Sequence, residues 1–217
     1  MEKAEDPGRI LLIDKPLNWT SFDVVNKLRY KLKIKKIGHA GTLDPLATGL
    51  LIICVGKMTK RIEEFMGQEK EYTGKFILGQ TTVSHDLETP VTDQQDISHL
   101  TSKVVEDTAK KFVGKISQLP PQHSAIRIKG KRAYEFAREG KEIELSPREV
   151  MISAFDIVDI RLPEVTFRIV CSKGTYIRSL ARDFGNALQV GAYLSELCRT
   201  RIGEFKLDDA IAIDQIS

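Results

Sequence analysis

The feature that constrains the fold of this chain most strongly is the arrangement of its apolar residues. They form short segments, and these alternate with helix-like segments in no regular order. The longest apolar run covers residues 50–55, whereas a membrane-spanning helix needs about 20 apolar residues. A run of this length indicates a buried strand, and residues 72–78 alternate as a half-buried strand does. Because strands and helices do not succeed each other as in a β-α-β protein, the sequence predicts the α+β class with a mixed sheet.

One helix can be placed near the N-terminus from its capping signal and its apolar spacing. Thr20 or Ser21 can cap a helix that extends to about Leu32. The spacing of its apolar residues predicts a core-facing side that includes Phe22. Most of its basic residues fall on the other faces.

Polar and basic segments in the second half of the chain separate the remaining elements. Residues 80–95 are rich in polar residues and predict an exposed loop. Residues 118–148 are basic, have a weak apolar pattern, and predict a projecting insertion. Thr175 is expected to cap a helix to about residue 188, and Gly191 is expected to begin another short helix.

Positive charge is concentrated in a few places, although the net charge is only +3. Residues 27–36 contain five lysines and one arginine without an acidic residue. Any one such cluster is compatible with a solvated helix face, but several clusters favour a groove that binds phosphate groups. The other clusters are Lys57, Lys60 and Arg61; Arg127, Lys129, Lys131 and Arg132; and Lys173, Arg178 and Arg182.

The three cysteines and four histidines show no metal-ligand spacing, so we expect no metal site. Cys54 and Cys171 lie in apolar runs and are expected to be buried thiols in a reducing compartment. The N-terminus is charged and lacks the apolar core of a secretion signal. The sequence therefore predicts a cytoplasmic protein without a membrane segment.

The glycine-bounded segment of residues 38–49 presents one carboxylate, Asp44. The residue pair Asp44–Pro45 is compatible with an ordinary cap of a short turn. Alternatively, the carboxylate acts as a nucleophile or a base on a sugar. That second role requires a nearby cation if the site is dry, because an unpaired buried carboxylate would take up a proton.

Arg178 is the candidate for that cation. It falls in the first turn of the predicted helix after Thr175, where a positive charge is unfavourable to the helix dipole. An acidic partner across a cleft would explain this position, and a local pair with Asp183 is the alternative.

Two tyrosines and one histidine are candidates for contacts with a nucleobase. Tyr72 and Tyr176 could stack on a uracil that has left its helical stack, or they could be core aromatics. His39 lies in the glycine-rich segment and could stack in the gap left by a displaced base. General acid or base chemistry by His39 is the alternative.

The segment of residues 41–49 resembles the signature of the TruB family of tRNA pseudouridine synthases. The resemblance covers roughly residues 9 to 205. Further segments resemble family motifs in the same order along the chain, namely residues 14–16, Tyr72, residues 120–125 and 130–140, residues 171–183, and residues 191–203.

The resemblance implies the pseudouridine synthase fold, with a mainly antiparallel sheet flanked by helices. It implies that the protein converts uridine to pseudouridine in the T-loop of tRNA, at nucleotide position 55, without a metal or cofactor. Asp44 would be the catalytic aspartate, which either attacks the ribose C1′ or takes part in sugar deprotonation. Tyr72 would stack on the flipped uracil, and Arg178 would pair with Asp44.

The resemblance also implies which residues contact RNA and which molecule the protein binds. His39 would enter the T-loop as the base leaves, and Tyr176 and Leu197 would line the pocket. The remaining predicted RNA contacts are Lys15 from the early Lys-Pro element and Arg127, Lys129 and Arg132 from the insertion. tRNA would be the partner, and we expect a monomer without an obligatory protein partner.

The resemblance also implies a domain organisation, and three positions of this chain differ from the family pattern. We expect one catalytic domain over residues 1–217, with a thumb insertion at residues 118–148 and no C-terminal RNA-binding domain of the PUA type. Val83 stands where the family often has aspartate, and Cys198 stands where arginine is common. Arg127 replaces the usual lysine and preserves its charge.

Two other functions are compatible with these residues. The protein could be a tRNA-binding folding factor, an RNA chaperone whose catalysis is incidental or lost. It could also be a catalytic subunit that depends on a guide RNA, as in the dyskerin-type relatives. The presence of Asp44, Tyr72 and Arg178 favours a catalytic role, and the expected lack of a PUA-type domain disfavours guide-RNA dependence.

Overall fold

The fold is described from a computed structural model, which covers residues 8–122, 124, 127–128, 131–132, 136 and 143–216. The chain divides into two compact units. The first contains Met1–Thr73 and Glu196–Ser217, and the second contains Gly74–Ser195. Within the described ranges, no helix combines the length and the apolar character that crossing a membrane would require.

The first unit is built around strand β3 (Ala47–Val55). This strand pairs antiparallel with β1 (Arg9–Lys15) and β2 (Ile37–His39). It also pairs in parallel with the later part of β12 (Ala192–Ile202). The other elements here are α1 (Ser21–Leu32), a 3-10 helix (Gly56–Arg61), α2 (Ile62–Gly67), the start of β4 (Lys70–Leu78), β13 (Phe205–Lys206) and β14 (Ile211–Ala212).

The apolar sequence of β3 explains its central place. Nearly all of its side chains are buried, and alternate ones face two separate apolar clusters. One cluster contains Leu51, Ile53 and Val55 and packs against α1. The other contains Leu50, Ile52 and Cys54 and packs against Phe65 of α2. A strand that is buried on both faces needs a continuous apolar run, as this segment has.

Helix α1 begins where its capping signal predicts. The Thr20 hydroxyl accepts a hydrogen bond from the Asp23 amide, and the Asp23 carboxylate accepts one from the Thr20 amide. The helix buries Val24, Val25 and Leu28. The prediction that Phe22 faces the core is wrong, because Phe22 is 55% exposed and has the Arg29 guanidinium 5.5 Å from its ring centroid.

The second unit contains a long antiparallel hairpin. Strand β10 (Arg148–Arg161) pairs with β11 (Glu164–Cys171) on one side and with β7 (Gly114–Gln118) on the other. The other elements are β5 (Gln80–Thr82), β6 (Val91–Gln94), α3 (Ser102–Lys110), β8 (Arg127–Ile128), β9 (Lys131–Arg132) and α4 (Ile177–Ala187).

Phenylalanines fill the core of the second unit. The ring centroids of Phe76 and Phe167 lie 4.2 Å apart, and those of Phe155 and Phe184 lie 5.3 Å apart. Large aromatic rings in contact bury much apolar area and dominate the stability of a small core. They join the hairpin to α4 within this unit.

The predicted α+β class with a mixed, mainly antiparallel sheet is confirmed by these pairings. Three local expectations are wrong. The polar segment at residues 80–95 contains the paired strands β5 and β6. Gly191 leads into strand β12 and not into a helix. Thr175 donates its hydroxyl to the Ser172 carbonyl, and Tyr176 takes the N-cap position of α4 without a side-chain cap.

Candidate active site

Asp44 lies in the loop between β2 and β3, which we call the Asp44 loop (residues 40–46). It is partly exposed, whereas its neighbour Leu43 is buried. The Leu43 amide donates to the Ser21 hydroxyl at 2.8 Å, and that hydroxyl donates to the Leu43 carbonyl at 3.2 Å. The start of α1 therefore fastens the loop and leaves the neighbouring carboxylate toward the surface.

Lys15, at the end of β1, is fully buried beside this loop. Its ammonium group donates to the carbonyl oxygens of Pro16 at 2.9 Å, Trp19 at 2.6 Å and Pro45 at 3.4 Å. Burial lowers the pKa of Lys15 to about 8, and the negative charge of Asp44 is the main opposing influence. The amine is thus close enough to Asp44 for the two charges to stabilise each other.

Arg199, on β12, is a second buried cation at the Asp44 loop. Its Nε donates to the Leu50 carbonyl at 2.8 Å, Nη2 to Gly41 at 3.2 Å and Nη1 to Thr42 at 3.5 Å. These three bonds attach the loop to two strands. Sequence reasoning did not single out Arg199, although it lies in a segment that resembles a family motif.

Gly49 permits β3 and β12 to approach each other at this place. A Cβ atom on Gly49 would lie 2.5 Å from the Arg199 carbonyl oxygen, and the residue has a φ of +97°. Both conditions favour glycine over any other residue. The same approach brings Leu197 opposite Ala47 in the parallel pairing, so Leu197 is close to the Asp44 loop.

Tyr72 and His39 are the other predicted site residues of the first unit. Tyr72 lies in β4 and is 9% exposed, so that most of its ring is packed. His39 ends β2, is half-buried, and lies opposite Ile53 of β3. The structure therefore gathers Asp44, Lys15 and Leu197 around the start of β3. His39 lies opposite Ile53, near the other end of that strand.

In the second unit, Arg178 lies in the first turn of α4, as predicted, and is almost fully buried. Its Nε is 3.5 Å from Oδ2 of Asp86, whose side chain is also buried. The other oxygen of Asp86 accepts the Glu88 amide at 2.9 Å. Asp183, the local alternative, instead accepts a hydrogen bond from Arg182 at 2.8 Å.

Asp86 is a residue that sequence reasoning did not assign to the site. A signal was present, because Asp86 follows three residues after Val83, the position at which this chain departs from the family. The pKa of the adjacent His85 is lowered by its surroundings, which include Arg178. Burial lowers its pKa to about 4, and the positive charges of Arg182 and Arg178 add to that effect. Val83, by contrast, is exposed and contributes no charge.

Tyr176 is fixed by its backbone at the start of α4. Its amide donates to Oε1 of Gln118 at 2.8 Å, and Nε2 of Gln118 donates to its carbonyl at 3.1 Å. Gln118 is fully buried. The Arg148 guanidinium lies over the Tyr176 ring, with Cζ 4.6 Å from the ring centroid. The tyrosine therefore has a defined position and a cation on one face.

The predicted insertion is described only in part. The backbones of Arg127 and Arg132 pair opposite each other in strands β8 and β9, and their side chains lie outside the described part of the chain. Lys129 is outside the described residues altogether. Their RNA contacts therefore stay predictions.

The cysteines of the described chain are free thiols, and Cys54 and Cys171 are buried as expected. Cys198 is half-buried opposite Thr48, and burial raises its pKa. Across the described ranges, no group of three or more His, Cys, Asp or Glu side chains could hold a metal ion.

Comparison with known proteins identifies relatives over almost the whole chain. A protein of Flavobacterium johnsoniae named tRNA pseudouridine synthase B is 54% identical over 213 residues, which cover 95% of this chain and 93% of the relative. A protein of the same name from Phocaeicola vulgatus is 51% identical, with 95% and 91% coverage.

Solved structures are similar as well. The structure titled as a Cbf5-Nop10-Gar1 complex matches with a TM-score of 0.74 at 30% identity. An H/ACA RNP bound to a substrate RNA containing 2′-deoxyuridine matches with a TM-score of 0.71 at 29% identity. Each match covers 94% of this chain, which spans about half the length of the chain in those structures.

The family description of the TruB family pseudouridylate synthase (N terminal domain) matches residues 29–177. That range includes the Asp44 loop, Asp86 and the start of α4, and the curated relatives extend the similarity to both sides of it. The chain belongs to the TruB family of pseudouridylate synthases.

Proposed function

We propose that this protein isomerises uridine to pseudouridine in tRNA, at position 55 of the T-loop. Family membership and the relatives named tRNA pseudouridine synthase B support this activity. The observation that carries the proposal is Asp44, a partly exposed carboxylate on a loop that two buried cations hold in place. A reactive carboxylate needs this combination of access and fixed orientation.

In the proposed reaction, Asp44 acts on the ribose of an everted uridine. It either attacks C1′ or takes part in deprotonation of the sugar, and the N-glycosidic bond breaks. The uracil turns and C5 bonds to C1′, which releases Asp44 or returns the sugar proton. C5 then loses its proton and N1, released from C1′, gains one, so that substrate and product have the same atoms. Tyr72 would stack on the uracil, and Tyr176 and Leu197 would line the pocket.

Lys15 and Arg199 support the reaction from beneath the Asp44 loop. We propose this supporting role for Lys15 in place of direct contact with RNA, because its amine is buried against three backbone carbonyls. Cations that are oriented before the substrate arrives need not reorganise during the reaction. They therefore favour the ionised form of Asp44 throughout the cycle.

Arg178 is the proposed cation that assists Asp44 directly. Asp86 holds its guanidinium in a buried position, where solvent screens the charge little. The pairing of Arg178 with Asp44 stays a prediction that the family resemblance implies. His39 is proposed to enter the T-loop as the target base leaves its stack.

Binding to tRNA is proposed to rest on phosphate contacts. Lys27, Lys33, Lys35 and Lys36 are exposed and have no ion pair or hydrogen bond from their side chains in the described part of the chain. Such cations release counterions when they neutralise phosphates. Everting a base costs a few kcal/mol, which these contacts and stacking on Tyr72 would offset.

We further propose that residues 1–217 act as one catalytic domain in the cytoplasm, with residues 118–148 as the RNA-binding thumb. A tRNA substrate supports this compartment. Arg127, Lys129 and Arg132 are the thumb residues proposed to contact RNA, and tRNA is the proposed partner of a monomeric enzyme.

Replacement of the carboxylate tests the proposal. Asp44→Asn keeps the size of the side chain but removes its charge, so we expect undetectable pseudouridine formation on unmodified tRNA, mapped by sequencing. Binding of a T-arm stem-loop should stay within about threefold of the wild type, because one neutral side chain changes the phosphate contacts little. Asp208→Asn, an exposed aspartate of the same unit, is the control and should retain full activity. Turnover by Asp44→Asn would refute the assigned role.

A further inference from the structure

Tyr30, on helix α1, is an aromatic residue that the core of the first unit does not use. It is 85% exposed. It follows two positions after the buried Leu28, and at about 100° per residue the two side chains lie on nearly opposite sides of the helix. Tyrosine is also a weaker helix former than the lysines and the arginine around it. Neither core packing nor helix formation therefore explains a tyrosine at this position.

The surroundings of Tyr30 are positively charged. Lys27 is nearly one turn before it on the helix, and Lys33 follows directly after the helix; both lysines are exposed. Residues 27–36 contain no acidic residue. Asp23, the acidic residue of α1, already accepts two hydrogen bonds at the helix cap. This surface therefore favours a negatively charged ligand.

RNA combines the two properties that suit this surface. Its phosphates are negative, and its unpaired bases have flat faces that stack on aromatic rings. An acidic protein surface would match the lysines, but its carboxylates are not attracted to the negative face of an aromatic ring. Paired bases keep their faces inside the helical stack, so the exposed ring of Tyr30 indicates an unpaired nucleotide.

Helix α1 connects this surface to the Asp44 loop. Ser21, its first residue, exchanges two hydrogen bonds with Leu43. Tyr30 is nine residues further along the helix, which corresponds to about 14 Å at a rise of about 1.5 Å per residue. All of these residues belong to the first unit. An RNA that presents a nucleoside to Asp44 can therefore extend along the helix to Tyr30.

We infer that Tyr30 stacks on an unpaired nucleotide of the substrate tRNA other than the everted uridine, and that Lys27 and Lys33 hold the adjacent phosphates. This inference rests on the proposed function, which supplies RNA as the ligand, and it adds a base contact outside the catalytic pocket. Because every base has a flat face, a stacking contact of this kind tolerates different bases.

The test measures binding of unmodified full-length tRNA by fluorescence anisotropy at several KCl concentrations, in the Asp44→Asn background so that no turnover occurs. Tyr30→Ala should weaken binding about fivefold or more, as expected for the loss of one stacked base. The slope of log K against log salt should stay unchanged, because a neutral ring neutralises no phosphate. Val158→Ala is the control, because it removes another exposed apolar side chain, on β10. An affinity of Tyr30→Ala equal to that of the control would overturn the inference.

Two measurements separate stacking from other roles of the tyrosine. Tyr30→Phe keeps the ring and should bind within about twofold of its parent, and a loss as large as that of Tyr30→Ala would overturn the inference. In protein labelled with 3-fluorotyrosine, the ¹⁹F resonance that is missing from Tyr30→Phe should shift when tRNA is added. If the wild type forms pseudouridine and this resonance stays fixed, the stacking inference alone is wrong. If the wild type binds no tRNA, the proposed function fails as well.

Discussion

Asp86 and Arg178 show how a buried ion pair can be needed at a site where it contributes little net stability. Both side chains are almost fully buried, and their charged atoms lie 3.5 Å apart. Removing two charges from water costs several kcal/mol, which their attraction only partly repays. We therefore propose a role for this pair beyond stability, and the proposed function supplies one, which is to orient the Arg178 guanidinium for catalysis.

Breaking that pair should be costly. We expect Asp86→Asn to lower the free energy of unfolding by about 3 kcal/mol or more, because Arg178 would be left as a buried charge without its partner Asp86. Asp159→Asn breaks an exposed ion pair with Arg161 and should cost less than about 1 kcal/mol. Urea unfolding of both variants provides the measurement. Equal losses would show that the buried pair is not special.

Lys15 gives a pH dependence whose sign follows from its pKa. The folded protein releases this proton near pH 8, whereas the unfolded chain holds it to its ordinary value of 10.5. Between these values the unfolded state binds more protons, so the free energy of unfolding rises with pH, by at most about 3 kcal/mol. The measurement is the free energy of unfolding in urea, taken from pH 7.5 to 10.5 for the wild type and for Lys15→Met. The difference between the two proteins should rise with pH. A difference that falls or stays constant as the pH rises would contradict the lowered pKa.

Sequence patterns singled out Asp44 and Arg178 as candidates but did not indicate the residues that hold them in place. A motif marks a reactive side chain by its neighbours along the chain. Asp86 and Arg199, however, act through contacts with residues that are remote in sequence. Such contacts depend on strand pairing and cannot be derived from local spacing. The departure at Val83 drew attention to this segment, yet the residue of it that pairs with Arg178 is Asp86.

Helix α1 is the element whose exposed face differs most from expectation. Apolar spacing placed Phe22 in the core, but the buried face is narrower and is complete with Val24, Val25 and Leu28. Phe22 instead lies outside under Arg29, and Tyr30 is 85% exposed. A face that combines aromatic rings with lysines is suited to RNA.

The exposed lysines of α1 and of residues 33–36 after it predict a salt effect. Replacement of Lys27, Lys33, Lys35 and Lys36 by glutamine should weaken tRNA binding and reduce its dependence on salt, by about 0.7 to 0.9 in slope for each phosphate that is no longer neutralised. A matched variant replaces four other exposed lysines, which are Lys103, Lys111, Lys115 and Lys206. Both variants change the net charge equally, so an equal loss of affinity would show that the location of these lysines, on α1 and in residues 33–36 after it, does not matter.

Strands with strong apolar runs were predicted well, and strands with polar sequences were not. Strand β3, predicted at residues 50–55, is buried along nearly its whole length, and β4, predicted at residues 72–78, buries Tyr72, Phe76 and Leu78. Strands β5 and β6 consist largely of polar residues and are held by backbone pairing and by Thr81. Backbone pairing leaves no signal in side-chain hydropathy, so the hairpin resembled a loop.

At the scale of the whole molecule, each unit has its own packed core, which favours a chain that folds without a partner. The similar solved structures come from complexes with other proteins, whereas this protein is proposed to be a monomer. We expect a solution mass of 24.4 kDa by light scattering and pseudouridine formation on a bare tRNA transcript. Activity that appears only after a second protein is added would contradict this.

The bond between Arg199 and Leu50 joins residues that are 149 positions apart in the chain. When the ribosome has synthesised β3, most of the chain is still to be made. Arg199, the cation that fastens the Asp44 loop, is therefore added much later. Folding of nascent chains proceeds from the N-terminus, so the loop gains its support among the last steps. An incomplete chain therefore carries Asp44 without the cation that fastens its loop, and we expect the proposed activity only once β12 has been synthesised.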